Sequence, residues 1–177
     1  MAIKGMDSLL KKIDALDGIS KTALKKGVGQ AVEKIQGDAK ELVTSDTGQL
    51  RNSIFTDVSE VAGAVIGKVY TNNDHAAYNE FGTGPVGMTS HKDLPPETAS
   101  NIQYRTDGWW IHESQIDAKT AEKYRFFRIE TKQGVFYHTE GQPAQPYMYP
   151  AIKQNKDNVV KMVADSLREE IGKVAGK

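Results

Sequence analysis

Histidines are the side chains with which this sequence could most readily do acid–base or metal chemistry, and there are four of them. None follows another at the spacing that sets two imidazoles on one helical turn, which is the usual way to form part of a metal site. The four are His75, His91, His112 and His138. We therefore expect no bound metal.

Two of these histidines have a carboxylate nearby in the sequence, which leaves a hydrolase open as one hypothesis. The pairs are His112 with Glu113, and His75 with Glu80. Neighbouring residues on a strand point to opposite faces of the sheet, so the first pair is more simply explained as two polar side chains at the surface. A catalytic role predicts that one His→Ala change abolishes activity, whereas an assembly role predicts partial defects.

Other catalytic patterns are incomplete. Gly82-Thr83-Gly84 lacks the lysine and the spacing of a phosphate-binding loop, and Ser53 lacks the glycines of a nucleophile elbow. The absence of cysteine excludes thiol catalysis, disulfides and cysteine-ligated metals. The sequence predicts a non-enzymatic protein with no catalytic residues and no cofactor.

Charge and composition narrow the class of protein further. The 177 residues carry 23 basic and 23 acidic side chains, a balance that does not favour nonspecific binding to nucleic acid or membranes. No apolar run approaches the roughly 18 residues that a membrane span requires. The first residues have no apolar stretch typical of a secretory signal, so we expect a soluble protein made in the cytoplasm.

Apolar periodicity predicts the elements that would position any site. Stripes at helical spacing predict a helix over 3–16, a stop at Asp17-Gly18 and a second helix capped by Ser20 that contains Gly27, Gly29 and Gly37. These glycines indicate either close packing on a neighbour or simple tolerance. Alternating residues from Ile54 to Tyr70 predict two strands joined by a turn over 60–63.

The rest of the chain divides into an aromatic-rich stretch and a last helix. Residues 85–140 contain turn dipeptides at Asp107-Gly108 and Gln133-Gly134, which predict a β-rich insertion within a single domain over 1–177. A helix is predicted after Pro150. The fold class is α+β, with an N-terminal helix pair, a small antiparallel sheet and a C-terminal helix packed on the sheet.

Three segments carry a family resemblance. They are Thr47–Ile54, Tyr70–Gly84 and Gly141–Ala151, and they follow one another between the predicted helices. In this order they resemble the HK97 gp10-like family of bacteriophage tail-component proteins, over about residues 5–84 and 141–174. Tyr147 and Tyr149 depart from the Phe and Arg common in that family, and the insertion is longer than in its compact members.

The residues of these segments suit an assembly protein. Thr47 and Gly48 can end the long helix, Leu50 and Ile54 can anchor a strand, and Arg51 offers a planar fork for a carboxylate such as Glu80. Glycines in the second segment are predicted to supply positive φ or close backbone approach. The motif residues there are Tyr78, Glu80, Phe81, Gly82 and Gly84.

Surface contacts are predicted in two places. Prolines make 142–146 a stiff extended connector, and the side chains that follow it suit an interface, with Met148 the one most simply explained by packing. Of Trp109 and Trp110, one indole should face inward and the other outward towards a neighbouring subunit. The interface residues of the connector are Gln142, Pro143, Pro146, Tyr147 and Tyr149.

The resemblance implies a structural virion protein of a long-tailed phage or prophage, a tail-completion or head–tail connection component that forms a ring at the head-proximal end of the tail. It implies a hexamer whose partners are the tail terminator or tail tube and the head-closure or connector proteins. A closed ring requires two different patches on each subunit, and the insertion and 142–150 are the candidates. A neck module that touches passing DNA, a tail terminator and a head-closure protein remain alternatives.

Overall fold

The computed structural model describes residues 6–43, 48–90 and 93–175. The chain forms two compact units, one of residues 1–73 with 147–177 and the other of residues 74–146. We call them the helical unit and the middle unit. The predicted insertion at 85–140 lies within the middle unit.

In the described residues, a long helix at each end of the chain brackets a series of short helices and strands. The helices are α1 (Met6–Leu42), α2 (Gln49–Asn52), α3 (Ala76–Phe81), α4 (Gly84–Thr89), α5 (Pro96–Ala99), α6 (Ala118–Lys123) and α7 (Met148–Ala175). The strands are β1 (Ile54–Val61), β2 (Ala64–Thr71), β3 (Trp109–His112), β4 (Phe127–Thr131) and β5 (Gly134–Thr139). Helices with two small antiparallel sheets confirm the predicted α+β class.

The predicted N-terminal helix pair is wrong, because α1 is one continuous helix of 37 residues. Asp17-Gly18 does not stop it and Ser20 does not cap a second helix. A glycine inside a helix costs about 1 kcal/mol relative to alanine, which weakens a helix without ending it. The Thr22 hydroxyl donates to the carbonyl oxygen of Gly18 over 3.0 Å, as within an ordinary helical turn.

The long helices α1 and α7 pack along each other through small residues. Ala23 and Ala31 on α1 are buried, and Ser166 on α7 donates its hydroxyl to the carbonyl oxygen of Ala23 over 2.9 Å. A Cβ at Gly27 would lie 2.8 Å from the Cα of Val163, so glycine permits this close approach. A Cβ at Gly29 or Gly37 would meet nothing within 4 Å, so these two glycines are simply tolerated in the helix.

Strands β1 and β2 form a two-stranded hairpin in the predicted region. Val61 pairs with Ala64, and the two turn residues, Ala62 and Gly63, have φ of 51° and 82°. Two positive φ values give a turn whose twist matches that of the flanking strands. The hairpin is therefore as predicted, and its turn is two residues shorter than the predicted 60–63 because Glu60 and Val61 still pair within the strands.

One face of the hairpin lies on α1. Gly67 sits against Val28 and Val32, and Lys25 forms an ion pair with Glu60 over 2.9 Å. The prediction that the C-terminal helix packs on the sheet is wrong for the described residues, since α1 occupies that face and α7 packs on α1. Helix α1 therefore packs against both α7 and the hairpin.

The middle unit contains a three-stranded antiparallel sheet in the order β3-β5-β4. Lys132 and Gln133 form the turn between β4 and β5, because Thr131 pairs with Gly134. Extra strands and a hairpin were predicted in this stretch, and both are present. Within the described residues no helix is long and apolar enough to cross a membrane.

Candidate functional site

The first motif joins α1 to the hairpin. Thr47 lies outside the described residues, whereas Gly48 has φ of 71° and precedes α2. Leu50 and Ile54 are buried, as expected of anchors for β1. The long helix ends at Leu42, before the predicted break at 47–48.

Hydrogen bonds tie this first motif to its surroundings in the helical unit. The side-chain amide of Gln36 donates to the carbonyl oxygen of Ile54 over 2.6 Å. The Ser53 hydroxyl donates to the carbonyl oxygen of Leu50 and lies 2.8 Å from the Thr71 hydroxyl. The motif therefore fixes the start of β1 against both α1 and the end of β2.

The second and third motifs meet in the middle unit. The backbone N–H of Thr83 donates to the carbonyl oxygen of Gln142 over 3.0 Å, and the N–H of Gln142 donates to the Thr83 hydroxyl over 3.1 Å. The side-chain amide of Gln142 donates to the carbonyl oxygen of Tyr78 over 3.0 Å. Segments separated by about sixty residues thus form one hydrogen-bonded ribbon.

Further bonds extend this ribbon along the proline-rich connector. The N–H of Gln145 donates to the carbonyl oxygen of Asn79 over 2.7 Å, and the N–H of Ala144 donates to the Ser90 hydroxyl over 2.9 Å. The two backbone N–H groups between the prolines of the connector are therefore both hydrogen-bonded. The role of Ser90 was not predicted, because a lone polar side chain gives no sequence signal for a partner this distant.

Gly82 and Gly84 allow the ribbon to close, as predicted. Their φ values are 76° and 60°, a region that side chains rarely adopt. A Cβ on Gly84 would collide with the carbonyl oxygen of Glu140 and would come within 2.9 Å of the Trp109 ring. Both glycines are thus required by position as well as by conformation.

Side chains around the second motif divide between core and surface. Glu80 is buried, and Tyr78 is 52% exposed. Phe81 is half-buried, and its carbonyl oxygen accepts a hydrogen bond from the Tyr104 hydroxyl over 2.9 Å. Burial raises the pKa of Tyr104, so this phenol stays protonated and able to donate. Tyr104 was not predicted as part of the site.

The charged pair suggested between the first two motifs involves residues of different units. Arg51 is exposed in the helical unit, and Glu80 is buried in the middle unit. The pairing of Arg51 with Glu80 stays a prediction.

The third motif ends inside the helical unit, where one expectation is wrong. Tyr147, predicted as an interface residue, is 1% exposed and is among the largest fully buried side chains. Met148, Tyr149 and Pro150 are half-buried in the first turn of α7. Tyr147 therefore belongs to the core of its own subunit, because the start of α7 turns it inward.

Exposed positions remain in the connector itself. Gln142 and Pro143 are exposed, and Pro146 is half-buried. Their contacts with a neighbouring subunit stay a prediction.

The two tryptophans face opposite sides of the middle sheet, as predicted. Trp109 is half-buried, with the Arg105 guanidinium 5.3 Å from its ring centre. Trp110 is 46% exposed and lies edge-on to Phe127, itself 67% exposed, at 6.2 Å. The pairing register places further aromatic and apolar side chains on the face of Trp110, which we call the aromatic face. Its residues are Trp110, His112, Phe127, Ile129, Phe136 and His138.

An open pocket of about 450 Å³ lies on this aromatic face. It is lined by Trp110, Ile129, Thr131, Lys132, Gln133 and Phe136. Phe127 was not singled out from the sequence, although its alternation with Arg128 and Ile129 was a signal of a strand with one apolar face. Trp110, Ile129 and Phe136 give the pocket an apolar wall beside its polar residues, which suits a protein contact.

His112 and Glu113, the first pair considered for a hydrolase, form hydrogen bonds with nearby residues. The ring nitrogens of His112 lie 2.8 Å from the Ser114 hydroxyl and 3.2 Å from the carbonyl oxygen of Gln133. The Glu113 carboxylate accepts from the N–H of Val135 over 3.0 Å. His91 lies outside the described residues. The described part of the chain contains no group of three or more His, Asp or Glu side chains that could hold a metal ion.

The site residues described above fix the backbone and present apolar surface. Residues 7–82 match the family described as "Bacteriophage HK97-gp10, putative tail-component", which confirms the resemblance over the N-terminal helix, the hairpin and the second motif as far as Gly82. No curated protein and no solved structure matches the chain.

Proposed function

We propose that this chain is a tail-completion or head–tail connection component of a long-tailed bacteriophage or prophage, working as a ring at the head-proximal end of the tail. The observation that carries the proposal is the family match over residues 7–82. Beyond the matched region, the third motif is hydrogen-bonded to the second. A hexamer that contacts the tail terminator or tail tube on one side and head-closure or connector proteins on the other is the expected assembly.

A closed ring needs two different surfaces on each subunit. The helical unit offers the outer face of its hairpin, opposite α1. Phe55 and Tyr70 pair across the strands with ring centres 5.9 Å apart, and they are 40% and 47% exposed. Val61 and Ile66 extend this surface.

The aromatic face of the middle unit is the second surface. Trp110 and Phe127 present large rings that need little ordering on binding, which is a property of residues that anchor interfaces. We assign these two faces to the head-to-tail contact of the ring, in place of the buried Tyr147.

Charge argues against strong DNA binding by the middle unit. In residues 74–146 the acidic side chains outnumber the basic ones, so a phosphate backbone would be repelled on average. Transient contact with DNA that passes through a ring channel is compatible with this, and tight salt-sensitive binding is not.

Deletion of the gene in its phage or prophage tests the proposal. Electron microscopy of the lysate should show full heads separate from tails or attached to abnormal ones, and the wild-type gene supplied in trans should restore joined particles. Normal infectious particles after deletion would contradict a role in tail completion.

Variants refine the same experiment. Complementation with a Phe55→Ser and Tyr70→Ser double variant should leave heads and tails unjoined, because the outer face loses its apolar anchors. Ser59→Ala, on the same face, is the matched control and should restore infectivity. Equal infectivity of both would exclude the hairpin face as a ring contact.

A further inference from the structure

The edge strand β4 has features that suit pairing with another strand. It is the last strand of the order β3-β5-β4, and Phe127, Arg128, Glu130 and Thr131 are all exposed. An edge strand presents a row of backbone donors and acceptors that an added strand can pair with.

Hydrogen bonding elsewhere in the sheet shows which residues of β4 turn their backbone to this edge. The N–H of Glu113 donates to the carbonyl oxygen of Val135 over 2.9 Å, so on β5 the backbone groups of Val135 point towards β3. In an antiparallel ladder the direction alternates, so Phe136 points towards β4 and bonds its partner Ile129. Arg128 and Glu130 are therefore the residues of β4 that face outward.

A second copy of β4 can meet this edge antiparallel in three nearby registers that bring outward-facing residues together. Arg128 opposite Arg128 and Glu130 opposite Glu130 set like charges against each other, which is unfavourable. The middle register sets Arg128 of each copy opposite Glu130 of the other and gives two ion pairs. In the single subunit these two side chains make only a 3.4 Å contact and are 54% and 72% exposed.

We propose that β4 is a self-association strand, pairing antiparallel with β4 of a second copy with Ile129 opposite Ile129. In an antiparallel pair, Arg128 and Glu130 of one strand meet Glu130 and Arg128 of the other. This charge complementarity favours a second copy of β4 as the partner and sets the register. The contact has two-fold symmetry and extends each sheet to six strands. Directly opposed residues lie on one side of a sheet, so the two aromatic faces become continuous.

This two-fold contact does not depend on the phage role. It uses a strand edge, whereas the head-to-tail contact of a ring uses two different faces. A subunit that forms no ring would pair into a dimer, and rings would pair face to face. Loss of the strand contact therefore halves the mass of the particle in either case.

Charge exchange tests the register. Arg128→Glu sets carboxylates at both outward positions and Glu130→Arg sets guanidinium groups at both, so each variant alone should show half the wild-type mass by native mass spectrometry. An equimolar mixture of the two full-length variants should regain the wild-type mass, because each supplies the charge that the other lacks. Circular dichroism melts of both variants check that they are folded.

Failure has clear forms in this experiment. Single variants that keep the wild-type mass, or a mixture that stays at half mass, would overturn the proposal.

A disulfide gives an independent test, since the chain contains no cysteine. Directly opposed residues of a non-hydrogen-bonded pair have Cα atoms about 4.5 Å apart, within the roughly 4.4–6.8 Å range of disulfides. Ile129→Cys should therefore give a covalent dimer on oxidation. Thr131→Cys, on the same face, is the matched control, because two copies of residue 131 would lie about 13 Å apart along the strands. Equal cross-linking of both variants would exclude the proposed register.

Discussion

Asn155 on α7 donates its side-chain amide to a carboxylate oxygen of Asp38 on α1 over 2.6 Å. The same amide donates to the carbonyl oxygen of Ala151, one turn earlier, over 2.8 Å. Asn155 is only 2% exposed, so any other sliding position of α7 on α1 would leave a buried amide without its partner. The pair therefore fixes the register of the two long helices.

Replacing Asn155 by alanine should destabilise the protein by about 2 kcal/mol, since a buried hydrogen bond to a charged group is lost together with packing. Chemical denaturation monitored by circular dichroism measures the change. Asn158→Ala, exposed on the same helix, is the control and should stay within about 0.5 kcal/mol of wild type. Equal stability of the two variants would show that the Asp38 contact carries no free energy.

Acid should weaken the contact between α1 and α7. Lys34, one helical turn before Asp38, lowers the pKa of the Asp38 carboxyl, and the Asn155 amide lowers it further. A group whose pKa is lowered on folding stabilises the protein above its unfolded pKa, near 3.8, and this contribution is lost as the pH falls through the lower folded value. We expect Asp38→Asn to lower stability at pH 7 and to flatten the loss below pH 4.

Other carboxylates act in the same direction, so the comparison must be between variants. Lys173 and Lys26 lower the pKa of both Glu169 and Glu170, and these groups also lose their stabilising contribution in acid. Melting temperatures of wild type and Asp38→Asn from pH 7 to pH 3 isolate the Asp38 part. The assignment would be contradicted if the melting temperatures of wild type and Asp38→Asn fell in parallel with pH. It would also be contradicted if the exposed control Asp157→Asn gave the same curve as Asp38→Asn.

Two glycines of α1 should respond to alanine with opposite signs. Gly27→Ala forces a Cβ towards the backbone of α7 and should cost about 1–3 kcal/mol through overpacking. Gly29→Ala meets nothing within 4 Å and should stabilise the helix by up to about 1 kcal/mol. Thermal melts of the two variants measured side by side check the prediction, and a stabilising Gly27→Ala would show that α7 can move aside.

Gly84→Ala should disrupt the ribbon formed by the second and third motifs. The substitution combines an unfavourable backbone conformation with a collision at Glu140, and the conformation alone costs about 1–3 kcal/mol. Gly63→Ala has φ of 82° but open space around its Cβ, so it measures the conformational cost without the collision. Tryptophan fluorescence should change only for Gly84→Ala, since its Cβ would press on Trp109. Identical unfolding curves for the two variants would contradict a close approach.

The burial of Tyr147 gives a test that separates core from interface. Tyr147→Ala should cost about 3–5 kcal/mol of stability, the usual loss for a large buried ring. Tyr78→Ala, which truncates a 52% exposed ring, should change stability by about 0.5 kcal/mol or less. Urea denaturation of both distinguishes the roles, and a stable Tyr147→Ala variant would return this residue to the list of surface contacts.

Several features of the fold could be predicted because they depend on local periodicity. Alternation from Ile54 to Tyr70 indicated the hairpin, whose two faces are set by the two-residue repeat of a strand. Gly82 and Gly84 marked a tight backbone passage, since other residues avoid positive φ. The pattern of the three motifs carried the family resemblance, of which the match over residues 7–82 confirms the first part.

Other features depend on contacts between distant segments, and local patterns do not contain them. The helix over 6–42 continues through Gly18, because a single glycine weakens a helix without ending it. The inward direction of Tyr147 depends on the angle at which α7 begins. The role of Ser90 arises only when the connector is folded against the end of α4, and that of Tyr104 only when its hydroxyl reaches Phe81 in the second motif.

The sequence by itself determined the α+β class, the hairpin, the glycine positions and the segments that carry the family pattern, since each depends on residues close together in the chain. The tertiary structure decided which side of α1 meets which neighbour, which aromatic rings stay exposed, and the register that Asn155 and Asp38 impose. Those properties depend on how distant surfaces fit, and the free energy of that fit belongs to no single segment.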